Sequence, residues 1–532
     1  MQAALCIAYF AVLLLLASYG LHRASLVLTV LRHRKKIAAV KTATSALPFN
    51  VDPKTVPHVT IQLPLFNEAT VLNRLLEETS KMGYPRQKLE IQVLDDSTDE
   101  SRQMARAKVE SLRKNPPALP DEAPIAWNAP LDIVYIHRVD RTGYKAGALD
   151  AGLKTAKGDL VAVFDADFVP QPDFLRHLVP AFMGNEKLGC VQARWGHMNH
   201  DLSLLTRVQA LMLDGHHLVE NRARWAAGYL FNFSGTGGMW RRKAIDDAGG
   251  WEHDTLTEDL DLSYRAQMKG WKFQYREDVV TPAELPEDVG AVRQQQYRWA
   301  KGTVQSARKL MKTVMASNLT PAQKLEAFFH LTPHFAYPLM VLLSVLLLPA
   351  LILMPATSAQ TMLMIDVPLC LGTTGSLAAF YMMAEHAQGR KRREALKTLP
   401  MILALGAGLA PHLTTAVWSG LNHMAGEFVR TPKHGSNHSM RYRMRADLPF
   451  AEIFLSLFSF GSILASIKTG HWIATPFAML FCFGYGYVAT LLTSEQAARR
   501  RAAMLAAPVA LVTRDSAPES LAPAGASEEL AA

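Results

Sequence analysis

Apolar stretches long enough to cross a bilayer lie on both sides of a central segment that mixes polar and apolar residues as a water-exposed domain does. A membrane-spanning helix needs about 20 apolar residues, because the hydrocarbon core is about 30 Å thick. The expected spans are residues 3–22, 335–355, 362–384, 449–467 and 472–493. The chain is therefore expected to fold as a polar domain attached to a helical membrane domain.

A further apolar stretch, residues 398–422, lies between basic clusters at 390–393 and 430–445. If this stretch spanned the membrane, the two clusters would face opposite sides, whereas Lys and Arg concentrate on the cytoplasmic side. We therefore interpret it as an interfacial or re-entrant helix and expect five spans, with the N-terminus outside. The chain is then a multi-pass protein, expected in a bacterial inner membrane, with its central domain in the cytoplasm.

The net charge of +9 raises the question of a nucleic-acid partner. The basic clusters lie beside apolar spans, so membrane lipid explains them better and no nucleic acid is expected. Composition predicts an N-terminal anchor at 1–31, a cytosolic domain at 50–320 and membrane and interfacial helices at 321–495. The remaining residues, 496–532, are rich in Ala, Pro, Ser and Glu and are expected to form a disordered cytosolic tail.

The central segment alternates short apolar runs with helical patterns. Strands are predicted at 59–64, 89–94, 133–136 and 160–164, and helical spacing appears at 69–82 and 99–113. Such alternation predicts an α/β domain with a mostly parallel sheet. Ligands of these sheets bind beyond the carboxyl ends of the strands.

Acidic pairs follow two of these predicted strands: Asp95 and Asp96 the second, Asp165 and Asp167 the fourth. Carboxylate oxygens suit Mg²⁺ or Mn²⁺, and the four cysteines and the histidines have no zinc-type spacing. Asp165 and Asp167 are therefore a candidate metal site. Each pair also has a plainer interpretation, as capping residues at a turn.

Two later motifs offer a cation and a base. Lys145 lies between glycines ahead of a predicted helix, where backbone N–H groups favour a diphosphate, although a simple helix-entry turn explains it equally well. Thr257-Glu258-Asp259 begins another helix, and we predict that Asp259 is a general base. The helix dipole alone explains acidic residues there, and we favour that explanation for Asp261.

A third motif places Gln295, Arg298 and Trp299 within about one helical turn. Arg298 can bind phosphate and Trp299 offers a flat face to a sugar ring. A basic amphipathic helix lying on the membrane is the alternative.

These motifs, in this order, resemble those of the membrane-embedded family 2 glycosyltransferases, the cellulose synthase superfamily, over residues 57–445. Gly143–Leu149 (Gly-Tyr-Lys-Ala-Gly-Ala-Leu) and Val191–Trp195 (Val-Gln-Ala-Arg-Trp) look most like the cellulose-synthase-like A branch, the mannan and glucomannan synthases. The resemblance implies a GT-A fold, Rossmann-like with a mostly parallel sheet, a nucleotide-sugar donor and inversion to a β-linkage.

The resemblance also implies roles for individual residues. The donor would contact Asp95, Asp96, Lys145, Asp165, Asp167, Gln295 and Arg298. The acceptor would contact Gly235, Thr236, Glu258 and Trp299, with Asp259 as the base. A gating-like loop at 424–447 would include Phe428, Thr431 and Lys433, although Arg430 departs from the family pattern there.

The expected function is that of a metal-dependent hexosyltransferase. It would take GDP-mannose or UDP-glucose, extend a β-linked polysaccharide and secrete the product. One alternative is a single transfer to a lipid such as ceramide or diacylglycerol. Another is a non-catalytic transporter or scaffold, which has no chemical need for Asp259.

Overall fold

A computed structural model describes residues 2–43, 45–353, 371–426 and 448–514 of the chain. Within these residues, one seven-stranded sheet has the order β3-β2-β1-β4-β6-β5-β7. The strands are β1 (Val59–Leu65), β2 (Leu89–Asp95), β3 (Asp132–His137), β4 (Leu160–Val163), β5 (Leu188–His197), β6 (Gly238–Arg241) and β7 (Lys272–Ala283). β6 runs antiparallel to β4 and β5, and the other neighbours are parallel.

Helices surround the sheet and continue beyond it. Those up to residue 331 are α1 (Gln2–Arg32), α2 (Arg34–Ala43), α3 (Leu72–Ser80), α4 (Ser101–Lys114), α5 (Tyr144–Thr155), α6 (Phe174–Phe182), α7 (Leu204–Gly215), α8 (Arg222–Ala227), α9 (Arg242–Asp247), α10 (Glu258–Met268), α11 (Val289–Ala316) and α12 (Pro321–Leu331). The later ones are α13 (Ala336–Leu353), α14 (Ser376–Ala387), α15 (Arg392–Asn422), α16 (Phe450–Lys468) and α17 (Thr475–Arg514).

The sheet has a hydrophobic core on each face, because successive residues of a strand point to opposite sides. On β4, Ala162 belongs to the core on one face, and Val161 and Val163 belong to the core on the other. All four residues of this strand are buried. The continuous apolar run before Asp165 is therefore a central, buried strand, as predicted, with β1 parallel on one side and β6 antiparallel on the other.

Strand register brings the predicted acidic pairs to one edge. β1 pairs in parallel with both β2 and β4, and Leu65 lies opposite Asp95. The carboxyl ends of β1, β2 and β4 therefore lie side by side. This topology confirms the predicted fold class of the central domain.

Five helical segments of the described residues are long and apolar enough to cross a membrane. By length and composition these are Gln2–Arg32, Pro333–Leu353, Arg392–Asn422, Phe450–Lys468 and Trp472–Ala498. The expected span at 362–384 lies partly outside the described residues. The stretch at 398–422, expected to be interfacial, belongs to the 31-residue helix α15, which packs on α11 and α7 of the central domain as well as on α13 and α17.

α11 joins the central domain to the helices that follow it. Glu495 of α17 accepts hydrogen bonds from the N–H groups of Val289 and Gly290 at 2.6 and 3.2 Å, which caps the first turn of α11. Arg293 of α11 pairs with Glu452 of α16 at 3.3 Å, and Glu452 is buried. The helix that carries the Gln-x-x-Arg-Trp motif is therefore attached directly to the apolar helices.

Candidate active site

A cavity lies beyond the carboxyl ends of β1 and β4, and its opposite wall comes from the start of α10 and from α11. It contains most of the site residues expected from the sequence. Those that line it are Asp96, Lys145, Asp165, Asp167, Gly235, Glu258, Asp259, Gln295, Arg298 and Trp299. Residues separated by up to 203 positions in sequence thus meet in one space.

The predicted metal pair follows β4 directly. The backbone N–H of Asp165 donates to Thr236 Oγ1 at 2.9 Å, which fixes the turn after the strand. Thr236 itself is buried and lies behind the cavity wall. Its side chain therefore holds Asp165 in place from behind, whereas Gly235 reaches the cavity.

Lys145 lies at the centre of the carboxylates. Its Nζ is 2.6 Å from Asp165 Oδ1 and 4.0 Å from Glu258 Oε1, and it donates to the Gly235 carbonyl at 3.0 Å. Burial alone lowers the pKa of Lys145, but the attraction of the nearby carboxylates outweighs burial and raises it. The side chain is therefore a fixed cation.

The two aspartates after β2 have different surroundings. Asp96 lines the cavity and accepts two hydrogen bonds from Arg138, at 2.9 and 2.6 Å. Asp95 is fully buried and does not line the cavity; it accepts hydrogen bonds from the Tyr135 hydroxyl at 2.7 Å and the Ser97 N–H at 2.9 Å. Any effect of Asp95 on a ligand therefore passes through its neighbours.

The predicted base begins α10. Burial, followed by repulsion from Glu258, raises the pKa of Asp259 to about 7. Burial also raises the pKa of Glu258. A Cβ atom added to Gly235 would lie 3.1 Å from Asp259 Oδ2, so a glycine lets the chain pass this close.

Asp261 belongs to a separate group of charges. It is buried and pairs with Arg265 at 2.7 Å and with Lys309 at 3.1 Å. Together with Glu252 and Asp254 it forms a three-carboxylate cluster with metal-like spacing. Lys309 also pairs with Asp254 at 2.7 Å, so this ammonium group and Arg265 together offset most of the cluster's negative charge.

Arg298 lies among the carboxylates of the cavity. Burial lowers the pKa of its guanidinium, and four carboxylates oppose that change. They belong to Asp165, Glu258, Asp167 and Asp259. With Lys145 and Arg298 as the cations, the four carboxylates carry a formal excess of two negative charges when all are ionised. Oxygen ligands with this excess fit a divalent cation.

The cavity also contains residues that the sequence analysis did not single out. Phe66 follows β1, and the Arg141 guanidinium carbon lies 3.4 Å from the centroid of its ring and 5.2 Å from that of Tyr144. All three line the cavity next to Asp96. Arg141 precedes the Gly-Tyr-Lys motif by two residues. This closeness to Lys145 in the sequence was the one feature from which its place in the cavity could have been predicted.

A second group of unpredicted residues comes from β5 and the end of β7. Trp195 and His197 of β5 line the cavity, as does Glu284, which pairs with Arg74 at 2.7 Å. The Trp195 indole N–H donates to the Thr236 carbonyl at 3.2 Å. Val191–Trp195 was noted for its family likeness, and its last residue, Trp195, lies in the cavity wall.

Gln192 holds the glycine-rich loop in position. Its Oε1 accepts from the Ser234 N–H at 2.8 Å, and its Nε2 donates to the Thr236 and Gly237 carbonyls at 3.1 Å each. The side chain is fully buried, so these bonds form away from water. Ser234 to Gly237 is therefore rigidly fixed beside Lys145.

The three predicted gating residues, Phe428, Thr431 and Lys433, lie outside the residues that the structure describes. Their proposed role remains a prediction.

Comparison with known proteins identifies the family. Residues 120–302 match the family described as Glycosyltransferase like family 2. Glucomannan 4-beta-mannosyltransferase 1 of Oryza sativa subsp. japonica is 33% identical over 457 residues, which are 82% of this chain and 84% of the rice protein. The chain belongs to the family 2 glycosyltransferases, in the cellulose-synthase-like A branch. This result confirms the predicted resemblance.

A second rice relative of this glycosyltransferase matches over a shorter region. Probable glucomannan 4-beta-mannosyltransferase 7 is 41% identical over 265 residues, 49% of this chain and 43% of that protein. Identity is thus higher over this shorter region than over the longer alignment.

Two solved structures are also similar to this glycosyltransferase. The mannosyltransferase PcManGT from Pyrobaculum calidifontis, in complex with GDP-Man and Mn²⁺, is 23% identical with a TM-score of 0.46, covering 73% of this chain and 97% of that one. TarS of S. aureus is 14% identical with a TM-score of 0.33, covering 68% of this chain and 54% of that one. The fold assignment rests on the sheet order and the family membership.

Proposed function

We propose that this glycosyltransferase transfers mannosyl groups from GDP-mannose to the end of a growing β-linked polysaccharide, with inversion at the anomeric carbon. The observation that carries the proposal is the single cavity shared by Lys145, Asp165, Asp167, Asp259 and Arg298. The two rice relatives, both named as glucomannan 4-beta-mannosyltransferases, support the sugar and the polymeric product.

The chemical step needs a base for the acceptor. Asp259 takes the proton of the acceptor hydroxyl, whose oxygen forms a bond to the anomeric carbon as the bond from that carbon to the phosphate oxygen breaks. The diphosphate leaves with the electron pair. Attack from the face opposite the leaving group gives the β-linkage. A carboxylate whose pKa is raised to about 7 is a stronger base than an ordinary aspartate.

Two cationic side chains of the same cavity bind the departing diphosphate. Lys145 and Arg298 both line the cavity among the carboxylates, so each can pair with phosphate oxygens. Asp96, held by Arg138, and the stacked pair of Phe66 and Arg141 form the part of the wall assigned to the nucleoside.

A divalent cation fits the carboxylates described above. Asp165 and Asp167 would hold it, since they are adjacent oxygen ligands at the end of β4 and line the cavity. Mg²⁺ or Mn²⁺ bound there supplies positive charge that stabilises the diphosphate as a leaving group.

The acceptor end of the cavity contains aromatic side chains. Trp299 and Trp195 both line it, and indole rings offer apolar faces to sugar rings. Trp299 lies on α11, which is bonded to α16 and α17 through Glu452 and Glu495. We assign this end to the polysaccharide, which would then leave between the apolar helices of a cytoplasmic membrane.

The proposed activity is tested by measuring which sugar donor is used and which product is formed. Membranes containing the chain are incubated with radiolabelled GDP-mannose or UDP-glucose and Mn²⁺, and the products are separated into insoluble and chloroform-soluble fractions. We expect label from GDP-mannose in an insoluble polymer that a β-mannanase digests. Incorporation of label from UDP-glucose alone would overturn the donor assignment, and label in the chloroform-soluble fraction would indicate a lipid acceptor. If neither donor gives labelled product, the result would favour a non-catalytic binding protein.

A further inference from the structure

The face of α11 that carries Arg298 continues with two buried residues, Gly302 and Gln305, four and seven positions later. Residues with this spacing lie on one side of a helix. Gln305 is therefore about 10 Å along the helix from Arg298 on the same side. Its side chain is fully buried, so its hydrogen bonds form without competition from water.

Gln305 joins two chain segments that are distant in sequence. Its Oε1 accepts from the N–H of Leu256 at 3.0 Å, immediately before Thr257-Glu258-Asp259. Its Nε2 donates to the carbonyls of His423 and Ala425 at 2.8 and 2.7 Å, just after α15. Both ends of one carboxamide are thus occupied by backbone groups.

Neighbouring contacts fix the same segment. The Thr257 hydroxyl is 3.0 Å from that of Ser306, and a Cβ added to Gly302 would lie 2.9 Å from the Thr257 nitrogen. The helix therefore approaches the peptide between Leu256 and Thr257 as closely as a glycine permits.

The two bridged segments also contact each other. The N–H of Ala425 donates to the Asp254 carbonyl at 2.7 Å, and Ala425 has a left-handed φ of +57°. A non-glycine residue in that region is held there by its surroundings. The hydrogen bond from Gln305 to the Ala425 carbonyl is one of the contacts that stabilise this conformation.

We infer that Gln305 is a positioning residue for the transfer reaction: it fixes the chain before Asp259 relative to Arg298 and to the end of α15. The inference rests on the proposed function, since Asp259 is the base in that proposal. A base displaced by about 1 Å can lose roughly a hundredfold in rate without any loss of substrate binding.

The test uses the full chain in membranes. Gln305→Leu removes all three bonds at similar volume, and Gln305→Glu keeps the acceptor for the Leu256 N–H. Gln267→Leu is the control, because Gln267 also bridges helix to backbone, bonding the Phe231 carbonyl at 2.7 Å, but lies at the far end of α10. Transfer per folded enzyme, the Kd of GDP with Mn²⁺ and the pH profile are measured for each.

Gln305→Leu is expected to lower kcat about 10- to 100-fold with the GDP Kd changed less than about twofold. The acid limb of its pH profile should move to lower pH, because a loosened segment admits water to Asp259, while Gln305→Glu recovers part of kcat. The control should lose stability without loss of kcat or a change of pH profile.

Equal kcat in Gln305→Leu and wild type, or a parallel loss of GDP binding, would overturn the inference. If Gln305→Leu does not fold, Gln305→Glu, which keeps only the acceptor for the Leu256 N–H, should show a smaller loss of kcat with GDP binding intact. Unchanged kcat in that variant would also overturn the inference. If wild type transfers from neither GDP-mannose nor UDP-glucose, the proposed function fails first and the inference falls with it.

Discussion

If Asp259 is the base, as proposed, its raised pKa should make transfer depend on pH in a range where most carboxylates are fully ionised. A general base must be ionised, so activity is lost as pH falls through its pKa of about 7. The ionised fraction rises from about 9% at pH 6 to about 91% at pH 8, so kcat/KM should increase roughly tenfold over that interval.

Glu258→Gln tests the cause of this shift. Burial is the largest cause and repulsion by Glu258 the next, so removing the charge of Glu258 should move the acid limb to lower pH. Burial remains in the variant, so the limb should stay well above the ordinary value of 3.8. The position of the limb is independent of any change in the maximum rate that the variant also causes.

The assay is initial-rate transfer from GDP-mannose between pH 5 and 9 at fixed Mn²⁺, with kcat/KM fitted at each pH because it reports the free enzyme. Glu110→Gln is the control, since Glu110 lies exposed on α4. A wild-type limb near pH 4, or an identical limb in Glu258→Gln, would refute the assignment of Asp259 as the buried base.

Three further predictions follow from single contacts. Lys145→Gln should raise the Kd of GDP with Mn²⁺ by about tenfold or more, because a cation that pairs with phosphate is lost. The same variant should bind Mn²⁺ alone more tightly, because the ammonium group 2.6 Å from Asp165 no longer repels the metal. Calorimetry measures both constants, and weaker binding of Mn²⁺ alone would contradict the prediction. Gly235→Ala should reduce kcat at least about tenfold, because its φ is +80° and the new Cβ would crowd Asp259; wild-type kcat would contradict it. Glu452→Gln should cost roughly 2 kcal/mol of stability by leaving Arg293 without its anion, seen as a lower Tm in detergent, and an unchanged Tm would contradict it.

The sequence was sufficient to predict the strands that form the site edge. β4 is a continuous apolar run, which is typical of a strand buried on both faces. β1 and β2 are buried as well, but their apolar residues alternate with polar ones that bond across the strands: Thr60 donates to Glu90 at 2.7 Å and Gln62 to Gln92 at 3.1 Å. The acidic residues that follow such strands must then lie at their ends. Asp165, Asp167 and Asp96 were predicted at this edge for that reason, and the structure has them in the cavity wall.

The different surroundings of Asp95 and Asp96 were not predicted. Successive residues of an extended chain point in opposite directions, so both aspartates of a pair rarely face one cavity. Asp95 turns toward Tyr135, and only Asp96 reaches the cavity. Alternation alone does not tell which of the two faces a ligand, because that depends on where β3 lies.

Strands β5, β6 and β7 were not predicted, because β5 and β7 contain arginines within the strand and β6 has only 4 residues. β7 contains Arg276, which is buried through its pair with Asp278 at 2.7 Å. A buried charge that is neutralised within its own strand leaves no hydrophobic pattern to detect. Arg141 was missed for a related reason, since its partner Phe66 is 75 positions earlier in the chain.

Comparing Asp259→Asn with Asp165→Asn tests the account most directly. Both variants are measured for mannosyl transfer from GDP-mannose and for binding of GDP with Mn²⁺. Asp259→Asn should bind GDP within about twofold of wild type and transfer at less than about a hundredth of its rate, whereas Asp165→Asn should lose both. Wild-type turnover by Asp259→Asn, or undiminished GDP and Mn²⁺ binding by Asp165→Asn, would contradict the claim that these carboxylates form one transferase site.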